Sequence, residues 1–275
     1  MTSKKFLTAM IGVLLAFGMT VIGCATTDKS AVSAQAVVPS YEDFEVKHNI
    51  DEKTLTIEGN TLTITGYKGS LKAVIIPETL YGLSVTVIGD NAFAGKGLTS
   101  VSIPNSVTSI KDGAFANNQL TSVNIPNSLT SIGYRAFAEN QLTSVSIPNS
   151  VTTIGGWAFS DNKLTSVTIP NSLTTIEGWT FGGNQLTNVS IPNSVTTIGE
   201  GAFSDNKLTT ITIPNSVTSI EDGAFRGNQL TSISISKDVG GISTDAGFDQ
   251  NFVNLYASQN RSSGTYVKNG ATWSK

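Results

Sequence analysis

Hydrophobic residues recur along most of this chain with a period of 22 residues. The first regular copy is Leu98-Thr-Ser-Val-Ser-Ile-Pro-Asn-Ser-Val-Thr-Ser-Ile-Lys-Asp-Gly-Ala-Phe-Ala-Asn-Asn-Gln119, and five more follow without insertion or deletion. The six copies open at Leu98, Leu120, Leu142, Leu164, Leu186 and Leu208. A fixed period of this length is typical of a solenoid, in which each copy forms one coil.

Each copy predicts two short extended segments and a turn. Residues 98–103 are rich in β-branched side chains and stop at Pro104, which favours a strand that ends where the chain loses an amide hydrogen. After the Pro-Asn-Ser turn, residues 107–110 predict a second extended segment. Ala114 and Phe115 then suit a tight turn or a single helical turn. Seven apolar residues in 22 cannot close a core alone, so we expect stacked coils whose strands pair about 4.8 Å apart.

A column of asparagines precedes the strands of successive copies. We interpret it as a structural ladder, in which buried amides bond backbone groups of the neighbouring coil. The alternative is a row of polar ligands for a bound molecule. The column consists of Asn118, Asn140, Asn162, Asn184, Asn206 and Asn228.

The repeat resembles the BspA-like class of leucine-rich repeats, which read roughly L-x-x-I-x-I-P-x-x-V-x-x-I-G-x-x-A-F-x-x-C/N. The resemblance covers residues 71 to about 252. It departs in having 22 residues where 23 is commoner, and in using Asn throughout at the Cys/Asn position. It implies a right-handed leucine-rich repeat solenoid of about eight coils. It also implies a cell-surface role in adhesion, with a host matrix protein, another cell-surface protein or a glycan as partner.

The N-terminal residues predict a lipoprotein signal. Lys4 and Lys5 precede an apolar run, and Val21-Ile22-Gly23-Cys24 resembles the bacterial lipobox, which implies cleavage before Cys24 and lipidation of its thiol. An ordinary cleaved secretory signal is the alternative. We therefore expect a signal peptide at 1–23, a flexible tether at 24–40, and a lipid-anchored protein of the bacterial cell envelope, at the outer membrane or cell surface.

The ends of the repeat region predict caps. Segments 54–57 and 61–64 alternate at period two around Glu58-Gly59-Asn60, which predicts a hairpin within an N-terminal cap at 41–70. Residues 71–252 form the solenoid, beginning with an irregular copy. The aromatic-rich residues 253–275 predict a C-terminal cap, because terminal repeats must close the core against water.

Composition argues against several kinds of function. Charged residues are only 13%, with 17 basic and 20 acidic side chains, so no basic patch for nucleic acid is expected. Cys24 is the only cysteine and His48 the only histidine. Nucleophilic triads need a histidine held against a nucleophile, and no motif for a metal, a phosphate or a dinucleotide occurs. We expect no catalytic residue, no metal and no cofactor.

The copies differ most just before their phenylalanines. There Arg135, Trp157 and Trp179 are equivalent residues of three successive copies, with Tyr134 beside the first. Stacking predicts a contiguous stripe of residue types enriched at binding hot spots. Alternatively, the tryptophans pack onto the convex surface and fill a gap. The flat, hydroxyl-rich strand face beginning at Ser100 and Ser102 is a second surface that could meet a partner.

These observations predict a non-catalytic, surface-exposed lipoprotein that binds a protein through its repeats. A structural or periplasmic scaffold for a partner in the same cell is the main alternative, and a glycan-active enzyme is a remote one. The sequence leaves the oligomeric state and the partner's identity open.

Overall fold

The computed structural model describes residues 39–50, 57–235, 239, 241–243, 245–259 and 261–275. For residues 48–50 and 57–59 the description covers the backbone alone. The predicted signal peptide, Cys24 and most of the predicted tether lie outside the described residues.

A first row of short strands forms where each copy begins. The strands in this row are β3 (Ala73–Ile75), β6 (Ser100–Ser102), β9 (Ser144–Ser146), β11 (Ser166–Thr168), β14 (Thr210–Ile213) and β16 (Ser232–Ile235). They pair in parallel as β3–β6, β9–β11 and β14–β16, each residue opposite its equivalent in the next copy. Segments 122–124 and 188–190 are not strands, and these are the two copies that carry an asparagine, Asn124 or Asn188, within the segment. Asparagine is depleted in strands.

A second row of strands follows the Pro-Asn-Ser turn. Its members are β5 (Leu83–Ile88), β7 (Ser109–Ile110), β8 (Ser131–Ile132), β10 (Thr153–Ile154), β12 (Thr175–Ile176), β13 (Thr197–Ile198), β15 (Ser219–Ile220) and β17 (Gly241–Ile242). The strands pair in parallel in the order β5–β7–β8–β10 and, as a separate sheet, in the order β12–β13–β15–β17. Each two-residue strand buries its isoleucine in the regular copies.

The core between the two rows contains a continuous column of phenylalanine rings. Neighbouring rings from Phe93 to Phe248 stack with centroids 5.1–5.9 Å apart. The column consists of Phe93, Phe115, Phe137, Phe159, Phe181, Phe203, Phe225 and Phe248. One ring per coil gives eight coils, so the predicted solenoid of about eight 22-residue repeats is confirmed.

The asparagine column lies beside these rings. The Oδ1 atom of Asn140 accepts the N–H of Leu120 (3.1 Å), and its Nδ2 donates to the carbonyls of Phe115 (2.9 Å) and Phe137 (3.1 Å). The same pattern recurs at the other five asparagines, and five of the six are 5–7% exposed. Each amide therefore satisfies backbone groups of its own coil and of the coil before it.

The N-terminal end is closed by an antiparallel pair of strands. After a 3-10 turn at Tyr41–Asp43, β1 (Phe44–Ile50) pairs with β2 (Ile57–Tyr67), and β2 continues the second row by pairing with β5. Tyr67 stacks on Phe93 at 5.4 Å and covers the end of the phenylalanine column.

The predicted turn at Glu58-Gly59-Asn60 is wrong, because these residues lie inside β2. His48 pairs with Leu62 and Ile50 with Ile57. An advance of two residues along β1 therefore lies opposite an advance of five residues along β2. The extra residues are absorbed as a bulge, and Asn60 adopts a left-handed conformation there (φ 49°). Residues 51–56 lie outside the described residues.

The C-terminal end is closed by a helix and a hairpin. Helix α1 (Gln250–Ser258) is capped by Asp249, and the boundary suggested by the sequence between residues 252 and 253 falls within it. Strand β18 (Gly264–Asn269) pairs antiparallel with β16 and with β19 (Thr272–Ser274), which ends the first row. Phe252 meets Phe248 edge-on at 5.2 Å and closes the column.

Asp249 stabilises this cap by a hydrogen bond and an ion pair. Its carboxylate accepts the backbone N–H of Asn251 (2.8 Å) and pairs with Lys268 Nζ (2.8 Å). The contact with Lys268, followed by the bond from Asn251, lowers the pKa of Asp249 below its ordinary value. No helix in the described part of the chain is long and apolar enough to cross a membrane.

The asparagine ladder predicts a strong effect of one amide on stability. Asn162→Ala leaves the N–H of Leu142 without its acceptor and removes one of the two asparagine donors to each of the carbonyls of Phe137 and Phe159. Since one buried unsatisfied group costs about 1–3 kcal/mol, we expect the free energy of unfolding in urea to fall by about 1–3 kcal/mol. The matched control is Asn127→Ala, at an exposed turn asparagine. Equal, small effects of both substitutions would contradict a structural ladder.

Candidate functional site

Each turn around a phenylalanine of the first seven coils has two residues in the left-handed backbone conformation, one before the phenylalanine and one after it. In the second copy these are Arg135 (φ 53°) and Glu139 (φ 55°). This region is open to glycine and, to a lesser degree, to asparagine and aspartate. At the second position the first seven coils hold Gly95, Asn117, Glu139, Asp161, Gly183, Asp205 and Gly227, so all but one are residues that tolerate it.

The first position contains larger exceptions, and they are contiguous. Its seven residues are Asn91, Gly113, Arg135, Trp157, Trp179, Gly201 and Gly223. A left-handed conformation costs a residue with a Cβ atom about 1–2 kcal/mol, and for a bulky residue it is a genuine outlier. The fold therefore accepts glycine at this position, and two successive coils hold tryptophan at a cost.

Trp157 and Trp179 form a stack on the surface of these turns. Their ring centroids are 4.8 Å apart and the ring planes differ by 13°. Both side chains are partly exposed and neither belongs to the buried core. Stacked indoles with exposed edges present a ridge of apolar, polarisable surface that no other coil has.

Glycines form the base of this stack. A Cβ atom at Gly201 would lie 2.4 Å from Cε2 of Trp179, and one at Gly182 would lie 2.7 Å from its Cε3. The indole of Trp179 thus occupies space that a side chain would fill. Neither glycine stands out in the sequence pattern, although aligning the copies places Gly201 directly after Trp179 in the same column.

The second-row ladder is interrupted at the coil junction where the tryptophans stack. At other junctions the residue after the strand donates to the preceding isoleucine, as Gly155 does to Ile132 (2.8 Å) and Gly199 to Ile176 (2.8 Å). Among the described residues, no such bond joins Glu177 to Ile154, and β10 and β12 are not paired with each other.

The two coils nevertheless remain joined in the first row, where β9 pairs with β11. In the core, Phe159 and Phe181 have the widest ring spacing of the phenylalanine column, 5.9 Å. The tryptophan stack therefore occupies the one junction of the regular copies where the second-row ladder is open.

The other two predicted stripe residues occupy the adjoining coil. Arg135 shares the left-handed column, but its guanidinium pairs with Glu139 on the same turn. Tyr134 is 46% exposed, and its backbone N–H donates to Asp112 (2.8 Å). In the described residues, neither side chain makes an aromatic or cation–π contact with the tryptophans. The stripe is therefore contiguous along the backbone, while only Trp157 and Trp179 form a single packed unit.

The hydroxyl-rich strand face is exposed but interrupted. Ser100, Ser102, Ser144 and Ser146 point to solvent, while the intervening segment 122–124 is not a strand. Where the first-row strands are present, this face consists of small hydroxyl side chains. Within the described residues no group of three or more His, Cys, Asp or Glu side chains is arranged to hold a metal ion.

The glycine base of the stack yields a matched test of the tryptophan packing. Gly201 (φ 60°) and Gly223 (φ 63°) are equivalent, but a Cβ atom at Gly223 would approach no atom closer than 3.9 Å. Both alanine variants bear the same backbone strain, and Gly201→Ala alone must displace the Trp179 indole. We expect Gly201→Ala to lower the melting temperature further and to shift the tryptophan fluorescence. Equal melting and emission changes in both variants would contradict this packing.

Comparison with solved structures found similarity to other leucine-rich repeat proteins. A leucine-rich repeat protein from Bacteroides ovatus ATCC 8483 is 26% identical, over 72% of this chain and 65% of that chain, with a TM-score of 0.49. This chain thus spans less than two thirds of that protein. A leucine-rich repeat protein of T. pallidum is 22% identical, over 60% of this chain and 86% of that chain, with a TM-score of 0.45.

A search of curated proteins gave no match. The BspA type leucine-rich repeat region matches residues 66–185 and 157–267, with six copies in all. These two ranges overlap and together cover most of the chain, including every coil of the phenylalanine column. The chain belongs to the family of BspA type leucine-rich repeat proteins.

Proposed function

We propose that this protein is a non-catalytic, lipid-anchored protein of the bacterial cell surface that binds a protein partner and acts in adhesion. The observation that carries this proposal is the Trp157–Trp179 stack. It places two partly exposed indoles at a position where three equivalent turns hold glycine. Tryptophan is among the residues most enriched at the energetic centres of protein interfaces.

The local energetics favour binding over packing as the purpose of the stack. The left-handed backbone costs about 1–2 kcal/mol at each tryptophan, and the adjoining ladder bond is missing. Glycine at Gly113, Gly201 and Gly223 supports the same turn without that strain. Strained residues that the fold does not need occur preferentially at functional sites.

The cell-surface part of the proposal is supported by the N-terminal sequence. Lys4 and Lys5, the apolar run and Cys24 have the order of a lipoprotein signal. A lipid on Cys24 would tether the solenoid through residues 25–40, whose small and polar side chains suit a flexible linker. A repeat scaffold on such a tether could reach a host matrix protein or a protein on another cell.

Binding of the protein to an array of matrix proteins, glycans and envelope extracts tests the proposed function. The variant is Trp157→Gly with Trp179→Gly, because glycine suits the left-handed turn whereas alanine keeps the strain. We expect it to lose binding to a host protein by about a hundredfold, as loss of a two-residue hot spot implies. Its melting temperature should stay within a few degrees of the unmodified protein, because loss of packing and relief of strain offset each other.

Two results would count against the proposal. A large fall in melting temperature would make the tryptophans packing residues. Binding only to the organism's own envelope extract would favour a periplasmic or structural scaffold. Tyr41→Ala is a suitable control, since it removes an exposed aromatic side chain (52% exposed) at the far end of the chain.

Labelling of intact cells tests the predicted location. A membrane-impermeant amine reagent should modify exposed lysines such as Lys163 and Lys207 in whole cells as readily as in lysed cells. Replacing Cys24 with Ser should release the protein from the membrane fraction, because the thiol that carries the lipid is gone. Labelling confined to lysed cells would contradict the surface location, and unchanged membrane retention would contradict lipidation.

A further inference from the structure

Carboxylates extend from the tryptophan stack along the same turns in the next coils. Glu177 lies two residues before Trp179, and Glu200 immediately precedes Gly201, on which the Trp179 indole rests. The N–H of Trp179 donates to the Glu200 carbonyl (2.8 Å), so the row begins where the stack ends. Glu221 and Asp222 continue it in the following coil. We call Glu177, Glu200, Glu221 and Asp222 the acidic row.

Among the described residues, no cationic side chain forms an ion pair with the acidic row. All four side chains belong to exposed residues, and none takes part in the three ion pairs found among the described residues. Glu221 accepts the backbone N–H of Glu200 (3.2 Å), and Asp222 accepts the hydroxyl of Ser243. These neutral donors fix the position of two carboxylates and leave their charge uncompensated.

The acidic row also has a shape that could receive a side chain. Glu200, Glu221 and Asp222 line a shallow concavity of about 480 Å³ together with Ser219 and Ser243. Aromatic surface thus lies at one end of the row, and a negatively charged depression lies at the other. On the opposite side of the stack Arg135 pairs with Glu139, and the coil beyond holds an exposed carboxylate, Asp112, next to the cationic Lys111.

We propose that the tryptophan stack and the acidic row form one docking surface for a basic, extended protein segment. An apolar side chain of the segment packs on the indoles, and its lysine or arginine side chains pair with the carboxylates. Charge complementarity selects this occupant, because an acidic or nucleic-acid partner would be repelled. The proposal rests on the protein-binding function and specifies the chemistry of the partner.

The dimensions set the length of the segment. From Trp157 to Asp222 the surface spans three coil junctions, which is about 14 Å at about 4.8 Å per junction. An extended chain rises about 3.3 Å per residue, so about four or five residues cover it. A guanidinium is the better match than an ammonium, because its planar fork suits both carboxylate pairing and stacking on indole.

Binding of a fluorescein-labelled peptide, Leu-Arg-Arg-Arg-Arg, to the purified full chain in detergent tests this surface. We expect Glu200→Gln with Glu221→Gln to weaken binding about fivefold, since two exposed ion pairs are lost. Trp157→Gly with Trp179→Gly should weaken it further. Binding should also fall as salt rises from low to high ionic strength. The peptide with glutamate in place of arginine should not bind.

A second pair of substitutions controls for net charge. Glu42→Gln with Glu78→Gln removes two exposed carboxylates distant in sequence from the stack and should leave peptide binding unchanged. Equal weakening by both glutamine pairs would show a net-charge effect and overturn the proposal, as would unchanged binding in Glu200→Gln with Glu221→Gln.

The outcomes for the two proposals are separable. If a partner from the array depends on Trp157 and Trp179 but not on the acidic row, the protein-binding function stands and the basic-segment proposal fails. If neither the array nor the peptide gives binding that depends on the tryptophans, both proposals fail.

Discussion

Every coil of this protein depends on its neighbours to bury its apolar side chains. A phenylalanine such as Phe137 lies between Phe115 and Phe159 at 5.3 and 5.4 Å, and both of its faces are covered only because the coils repeat in register. The phenylalanine and asparagine columns both keep the 22-residue spacing through the six regular copies, which contain neither insertion nor deletion. At the C-terminal end Phe248 follows Phe225 by 23 residues and still stacks on it at 5.1 Å.

The same dependence on neighbouring coils makes the two ends different from the middle. Phe93 and Phe248 each have one face that no repeat covers, and the chain supplies Tyr67 at one end and Phe252 at the other. The caps also extend the strand rows, since β2 pairs with β5 and β18 with β16. The same cap elements thus pair with the outermost strand of each row and cover the outermost phenylalanine ring.

With the interior fixed, the copies differ most in the turns. The turns before the phenylalanines differ between copies, and there the chain holds Trp157 and Trp179 at a position that glycine fills in other coils. Neighbouring coils contain the strained tryptophans, the junction where β10 and β12 do not pair, and the carboxylates of the acidic row. A fold whose core is so uniform can carry a specialised surface without altering the packing beneath it.

Prediction from the sequence succeeded where the period alone decides the answer. The same pattern of apolar residues recurs in every copy. It determines the repeat length, the two extended segments and the number of coils. Prediction failed at the hairpin, because Glu58-Gly59-Asn60 has the composition of a turn but is absorbed as a bulge in a strand paired on both sides. Local composition indicates where the backbone can bend, and the partner strands decide whether it turns.

The candidate site divides in the same way. The sequence by itself determined the repeats, the columns of equivalent residues and the succession of Arg135, Trp157 and Trp179, because these depend only on counting from copy to copy. Only the tertiary structure decided that the two indoles stack, that Gly201 and Gly182 make room for them, and that Arg135 turns instead to Glu139. The physical reason is that the period fixes each Cα position along the solenoid, while side-chain direction depends on backbone conformation and on space left by neighbouring coils.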